Sequence, residues 1–226
     1  MEIGSQIEGC YRNTSLGMPC RQGSVPPLGI DARTVEDIQA GVKFAADYNL
    51  RLVVKNTGHD LARSTGRDGF MIWTHNMKGI VIHDKLTPAG APVTEFHEQA
   101  VTVAAGVQWH EVYSKLDDVK RMMVGGVTNG GSVGAAGVDN VLEFAVVLSN
   151  GEHVTANAQQ HPDLFWALRG GGGATFGVAT SVTYRMYPTV VAVLLEVAVD
   201  PSYPNQALKS SIEECIRISP TLTDMG

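Results

Sequence analysis

Apolar positions along the chain fall into two repeat periods, broken by polar and glycine-rich stretches. After a loop ending at Pro26-Pro27, "LGIDA" is a short extended run, and Thr34 opens a segment whose apolar positions Val35, Ile38, Val42 and Ala45 recur at helical spacing. A threonine cap with an acid three residues on marks the helix start, and the pattern fades near Asn49. "LRLVV" follows at once as a buried strand, giving a strand, helix, strand unit that favours parallel pairing. Further strands are predicted at "FMIWT", "GIVIH" and "VTVAAG", then a helix over 108–120 with Val112 and Leu116 on its inner face. Beyond it "VLEFAVVLSNGEHVTAN" reads as a hairpin about Asn150-Gly151, a pair suited to a tight primed turn. "HPDLFWALRG" reads as a short helix with proline in its first turn and glycine after its end. The last part alternates the strands "GVATSVTYRMYP" and "VVAVLLEVAV" with one amphipathic helix over 205–218.

Composition narrows the partners more than the fold. At 226 residues the chain is one large domain or two small ones, with 44% hydrophobic and 18% charged residues. A formal charge of −6 offers no basic stripe for a phosphate backbone, so nucleic acid is not an expected partner. No apolar run is long enough to cross a bilayer, and "MEIGSQIEG" has neither the basic start nor the apolar centre of a secretory signal. As written, the chain is expected to keep off membranes and stay in the cytoplasm. Cys10 and Cys20 bracket "CYRNTSLGMPC", which also holds the sequon Asn13-Thr14-Ser15. Together these are either a disulfide and a glycosylation site inherited from a secreted ancestor, or two free thiols and an unused sequon.

Of the chain's twenty-five glycines, eleven gather in "VGGVTNGGSVGAAG" and "RGGGGATFG". Each cluster, like the Thr57-Gly58-His59 loop, stands beside a predicted strand, and three such loops favour ligand contact over ordinary turns. Neither the G-x-G-x-x-G dinucleotide turn nor a P-loop lysine is present. Gly130-Gly131-Ser132-Val133-Gly134 satisfies the G-x-S-x-G pattern of a hydrolase nucleophile elbow, but the residues that follow are poor helix formers, whereas the elbow requires a helix there. The seven histidines show no zinc spacing, so no metal is expected.

Five blocks stand in order along the chain: "TVEDIQAGVKFAADYNLRLVVKNTGHD", "IWTHNMKGI", "AAGVQWHEVY", "DNVLEFAVVLSNGEHVTA" and "HPDLFWALRGGGGATFGVATSVTYRMYP". By these blocks the chain resembles the fungal FAD-linked oxidoreductases of the berberine-bridge-enzyme type, within the vanillyl-alcohol-oxidase, or PCMH-type FAD-binding, superfamily. The resemblance implies an α+β fold. Residues 1–27 would be an N-terminal loop segment, 28–188 a PCMH-type FAD-binding domain of two small α/β subdomains, and 189–226 a stub of a truncated substrate domain. It implies FAD as cofactor, with His59 matching the histidine bonded to the flavin 8α-methyl. Asn56, Thr57, Gly58, Asp60, Ser64 and Thr65 match the loop that cradles the pyrophosphate. Gly131, Ser132, Val133, Gly134, Gly137, Gly177 and Val178 match further flavin-contacting backbone, and Asp139, at the start of the next strand, completes the implied cofactor-binding set.

The implied activity is oxidase-type oxidation of a small organic substrate in fungal secondary metabolism, by hydride transfer to covalently bound FAD and reoxidation by O2. Three departures from the family pattern support a competing expectation, a shortened flavin-free homologue or fragment with a binding or structural role. His59-Asp60-Leu61-Ala62-Arg63-Ser64 is one residue shorter than the family's His-Asp-x-x-Gly-Arg-Ser, and a flavin-packing block is absent after Gly137. The remaining substrate-domain segments have no counterpart, so no catalytic acid or base is assigned. Gly130 stands where bicovalent members carry cysteine, which excludes a second flavin bond. An incomplete substrate domain leaves apolar sheet uncovered, so self-association is expected.

Overall fold

The strand, helix, strand signal near the N-terminus belongs to a three-stranded parallel sheet whose middle strand comes from elsewhere in the chain. The structure is a computed structural model that describes residues 2–3, 6–7, 13–18, 23–60, 64–92, 94, 99–128, 130–132, 137–172, 174–191 and 205–224. Strands β1 (Glu2–Ile3) and β2 (Gln6–Ile7) pair antiparallel. β3 (Leu28–Asp31), α1 (Val35–Asp47) and β4 (Arg51–Lys55) follow, and β5 (Gly69–Trp73) lies between β3 and β4, parallel to both. The expected parallel arrangement is present, but β3 and β4 do not touch; each pairs with β5 instead.

α1 starts where the capping signal places it. Thr34 Oγ1 accepts from the Asp37 amide at 3.2 Å, and Asp37 Oδ2 accepts from the Arg33 and Thr34 amides at 2.9 and 3.0 Å. Those backbone bonds, the one from Arg33 foremost, hold the Asp37 carboxyl below its ordinary pKa. The helix buries Ile38, Gly41, Val42 and Ala45 against the sheet. It approaches so closely that a Cβ on Gly41 would stand 2.6 Å from Ile30 Cδ1.

A second sheet is antiparallel throughout. β6 (Ile80–His83) and β7 (Ala100–Ala104) are followed by α2 (Trp109–Asp118), a short β8 (Arg121–Met122), β9 (Val141–Val147), β10 (His153–Asn157), α3 (Pro162–Leu168), β11 (Val178–Arg185) and β12 (Tyr187–Pro188). Five of these strands run in the order β10-β9-β11-β7-β6, while β8 and β12 pair separately. Period-2 alternation gives this sheet two different faces. Val101, Val103, Phe144, Val146, Val182 and Tyr184 join Val112 and Leu116 of α2 and Phe165 of α3 in the larger core. Opposite them runs a cross-strand polar row in which Thr183 pairs with both Thr102 and Glu143, and Glu143 pairs with Asn157. Asn157, fully buried, donates to the Ala89 carbonyl at 2.9 Å.

The hairpin between β9 and β10 forms where expected but with a different turn. Only Gly151 has positive φ, 82°, and the Gly151 amide donates to Leu148 O at 2.9 Å while Leu148 N donates to Glu152 O at 2.8 Å. A primed two-residue turn needs positive φ at Asn150 as well, so the chain uses a longer loop with one left-handed glycine. α1 grips that loop through Gln39 Nε2, which donates to Gly151 O at 2.7 Å, and it thereby links the two sheets. Val147 and Val178 share the smaller core with α1.

The chain divides into two compact units, Met1–Thr189 and Val190–Gly226. In the second, α4 (Asn205–Asp224) runs six residues beyond the expected 205–218 and carries Pro220 inside it. The strand expected at "VVAVLLEVAV" falls mainly on 192–199, outside the described residues, as do Cys10 and Cys20; Cys215 is exposed and free. Among the described residues no helix is long and apolar enough to cross a membrane.

The start of α2 is fixed by a charge pair. Glu111 Oε2 accepts from the Gln108 amide and from Lys78 Nζ, each at 2.7 Å, and Lys78 also donates to Gly106 O at 2.7 Å. Burial opposes ionisation of Glu111, yet Lys78 and the Gln108 amide together hold its carboxyl below the ordinary value. A depressed carboxyl pKa stabilises the fold above the unfolded-state value and stops doing so as pH falls through the folded-state value. Both side chains are about a third exposed, so screening keeps the contribution small. Glu111→Gln is therefore expected to cost about 0.5–1 kcal/mol at neutral pH. The gap to the native chain should close as the pH falls below about 4 in chemical denaturation.

Candidate functional site

Asn56 follows β4 directly and its side chain reaches three chain segments. Its Nδ2 donates to Ala105 O at 2.8 Å and to Ser132 Oγ at 3.1 Å. Because the Ala105 carbonyl can only accept, the orientation of the amide is fixed, and Oδ1 faces His75 Nδ1 at 3.1 Å. His75 must then carry its proton on Nδ1. Its ring stacks on Trp73 at 5.4 Å, and Trp73 Nε1 donates to the Asn56 carbonyl at 3.1 Å. The carboxyl end of a parallel strand is thus tied to the loop after β7 and to the first glycine cluster.

That cluster is shaped by one indole. A Cβ on Gly125, Gly126 or Gly131 would stand 2.2, 2.6 or 3.2 Å from Trp109 ring atoms, so the glycines let the chain wrap the tryptophan. Trp109 N donates to Gly131 O at 3.0 Å, Gln108 Nε2 to Gly130 O at 2.6 Å, and Tyr113 Oη to Gly126 O at 2.7 Å. Ser132 sits in an isolated antiparallel bridge with Gln108, its hydroxyl held by Asn56. The Ser132 hydroxyl accepts from Asn56, and among the described residues no histidine is hydrogen-bonded to it as the base of a nucleophile elbow would be.

Between the sheets opens a cleft of about 440 Å³. Its floor is apolar, with Val54, Val103, Ala104, Ala179 and Val182, and Trp109 forms one wall. Of the residues the family resemblance singled out, Asn56, Thr57, Gly58, His59, Asp60, Ser64, Gly131 and Ser132 line it together. Thr65 neighbours the buried Ser64 without lining the cleft. Val133 and Gly134 lie outside the described residues. Four others stand away from it. Gly137 packs on the Val124 carbonyl, Asp139 is exposed on the short turn Val138–Asn140, Gly177 backs onto Val146 and Val147, and Val178 is in the smaller core. Trp109 and Thr74 are cleft residues that the sequence reading did not assign. The block "AAGVQWHEVY" contains the first, but nothing in its spacing reveals that three glycines fold around it.

The loop itself is built for an anion. Gly58 has φ 88°, and among the described residues the amides of Thr57, Gly58 and His59 donate to no partner. Successive free amides at a left-handed turn form a concavity suited to phosphate oxygens. His59 is exposed at the cleft, with Nδ1 2.8 Å from Thr57 Oγ1, which leaves Nε2 as the ring nitrogen without a partner among the described residues. An anion cradle joined to an apolar trough fits a flavin dinucleotide, whose diphosphate and ring system need those two environments.

The FAD binding domain family matches residues 26–157. The chain belongs to this family, whose cofactor is FAD, and is similar to fungal FAD-linked oxidoreductases and to VAO-type flavoproteins. An uncharacterized FAD-linked oxidoreductase of Arthroderma benhamiae is 42% identical over 97% of this chain and 40% of its own length. FAD-linked oxidoreductase easE of Aspergillus fumigatus is 41% identical over 92% of this chain and 36% of its own. The crystal structure of VAO-type flavoprotein MtVAO713 from Myceliophthora thermophila superposes with a TM-score of 0.72 at 30% identity, over 82% of this chain and 36% of that one. The chain therefore spans about two fifths of the length of the curated relatives it matches.

The Asn56 amide is expected to hold the cleft open in its present shape. Asn56→Ala should cost about 2 kcal/mol, by leaving Ala105 O and Ser132 Oγ without their donor. The thermal midpoint should then fall by about 4–8 °C. Asn56→Asp, equal in size, should lose at least as much in the same melt, because an oxygen would then face the Ala105 carbonyl.

Proposed function

We propose that the chain is the cofactor-binding part of an oxidase-type FAD-dependent oxidoreductase that acts on a small organic substrate in fungal secondary metabolism. The observation that carries this reading is the pairing of a free-amide loop with an apolar cleft at the end of β4, with His59 at their junction. Bound FAD supplies the acceptor for substrate hydride and the route for electrons to O2. The chain's own residues bind and orient. The 57–59 amides would hold the diphosphate, the apolar floor would receive the ring system, and His59, oriented by Thr57 Oγ1, would be the residue that carries the flavin. Residues 189–226 contribute the start of a substrate domain in this reading. Val190 and Val191, 63% and 99% exposed, are the surface through which copies of the chain associate.

Purified chain is expected to carry a flavin absorbance band that stays with the protein after acid precipitation. In His59→Ala the flavin should instead be released to the supernatant. A colourless chain that takes up no added FAD would replace this reading with a flavin-free homologue of binding or structural role. In sedimentation the chain is expected to run as a dimer or larger, and a monodisperse monomer would remove self-association from the proposal.

A further inference from the structure

Lys55 is the last residue of β4, half-buried and in register with Trp73 of β5. Its side chain runs under the loop that follows. The ε-carbon is 2.9 Å and the ammonium nitrogen 3.8 Å from the position a Cβ on Gly58 would take. Gly58 is the left-handed residue of the loop, and its neighbours carry the amides without partners. Among the described residues the Lys55 ammonium donates no hydrogen bond and meets no carboxylate. Lys78 and Arg67, by contrast, are engaged: Lys78 holds Glu111 and Gly106 O, and Arg67 Nε donates to Gly23 O.

A half-buried lysine with no carboxylate partner among the described residues is well placed to meet an anion. Partial positive charges of three amides and one compact full charge, on the same turn, together match the two negative charges of a diphosphate. We infer that Lys55 is the cation that clamps the diphosphate of the dinucleotide to the 57–59 loop, and that position 58 is glycine in part because the lysine chain must cross there. This inference rests on the flavin reading above and adds to it a residue that the family resemblance did not assign. In this assignment Lys55 would act on the phosphates alone, and the ring system would be held by the apolar cleft residues.

Three probes separate these parts: FAD carries ring and diphosphate, ADP the diphosphate without the ring, riboflavin the ring without the diphosphate. Full-length chain produced under riboflavin limitation, so that no flavin has become attached, is titrated with each, following tryptophan emission. Lys55→Met is expected to weaken FAD and ADP about tenfold or more, as loss of a charge-assisted contact does, and to leave riboflavin within about twofold. Lys55→Arg should retain most of the affinity for all three. Raising salt from about 0.05 to about 0.5 M should weaken ADP binding to the native chain and leave riboflavin binding flat, a readout that needs no variant to fold. Equal loss for all three probes in Lys55→Met, or no loss for any, would overturn the clamp while FAD binding to the native chain keeps the flavin reading intact. A salt-independent ADP affinity would overturn it as well. If the native chain binds none of the probes, the flavin reading falls, and the clamp with it.

Discussion

Two sheets with different strand arrangements meet at the side-chain amide of Asn56, and the cleft exists because that amide satisfies groups from both. Its donor side closes on Ala105 O, at the end of β7, and on Ser132 of the glycine cluster, while its oxygen receives His75 from the loop after β5. A carboxyl or an aliphatic side chain of the same length can make only part of this set. The interaction is local in sequence to the loop that carries Thr57, Gly58 and His59. Whatever positions Asn56 therefore positions the cradle, and the chemistry of the site inherits the rigidity of a strand end.

A second link, through α1, keeps the sheets from sliding. Gln39 of α1 holds the carbonyl of Gly151, and Val147 and Val178 enter the core that α1 forms with β3 and β5. One helix thus belongs to both layers, and the cleft between β4, β7 and β11 has a fixed width. The polar face of the antiparallel sheet contributes in another way. Thr102, Thr183, Glu143 and Asn157 satisfy one another or nearby carbonyls, so this face is not a second hydrophobic surface competing to bury itself elsewhere.

Much of this was legible in the residues before any coordinates. Thr34 and Asp37 announce the start of α1 through chemistry contained in four consecutive residues, and the alternation in "VLEFAVV" announces a strand with one wet and one dry face. What the residues did not disclose is what depends on distant neighbours. The insertion of β5 between β3 and β4 leaves no mark on the periodicity of either, because a buried strand has the same apolar pattern whoever its partners are. Asn150-Gly151 permits two positive φ values but does not compel them, so the pair alone does not decide the turn. The His59 loop stood out through its composition and the family resemblance. Trp109, Thr74 and Lys55 did not, because an indole, a threonine and a lysine at the ends of ordinary elements look alike whether they face a cleft or solvent.

The packing of Gly125, Gly126 and Gly131 against Trp109 ties the evolutionary freedom of those positions together. As long as the indole fills its present space, a methyl group at Gly125 or Gly126 collides with it, so neither position can drift independently. A lineage that first exchanged Trp109 for a smaller side chain would relax both at once, and the order in which changes occur decides which of them are tolerated. The glycine-rich appearance of this stretch is thus partly the footprint of a neighbour, a history of steric exclusion recorded as composition.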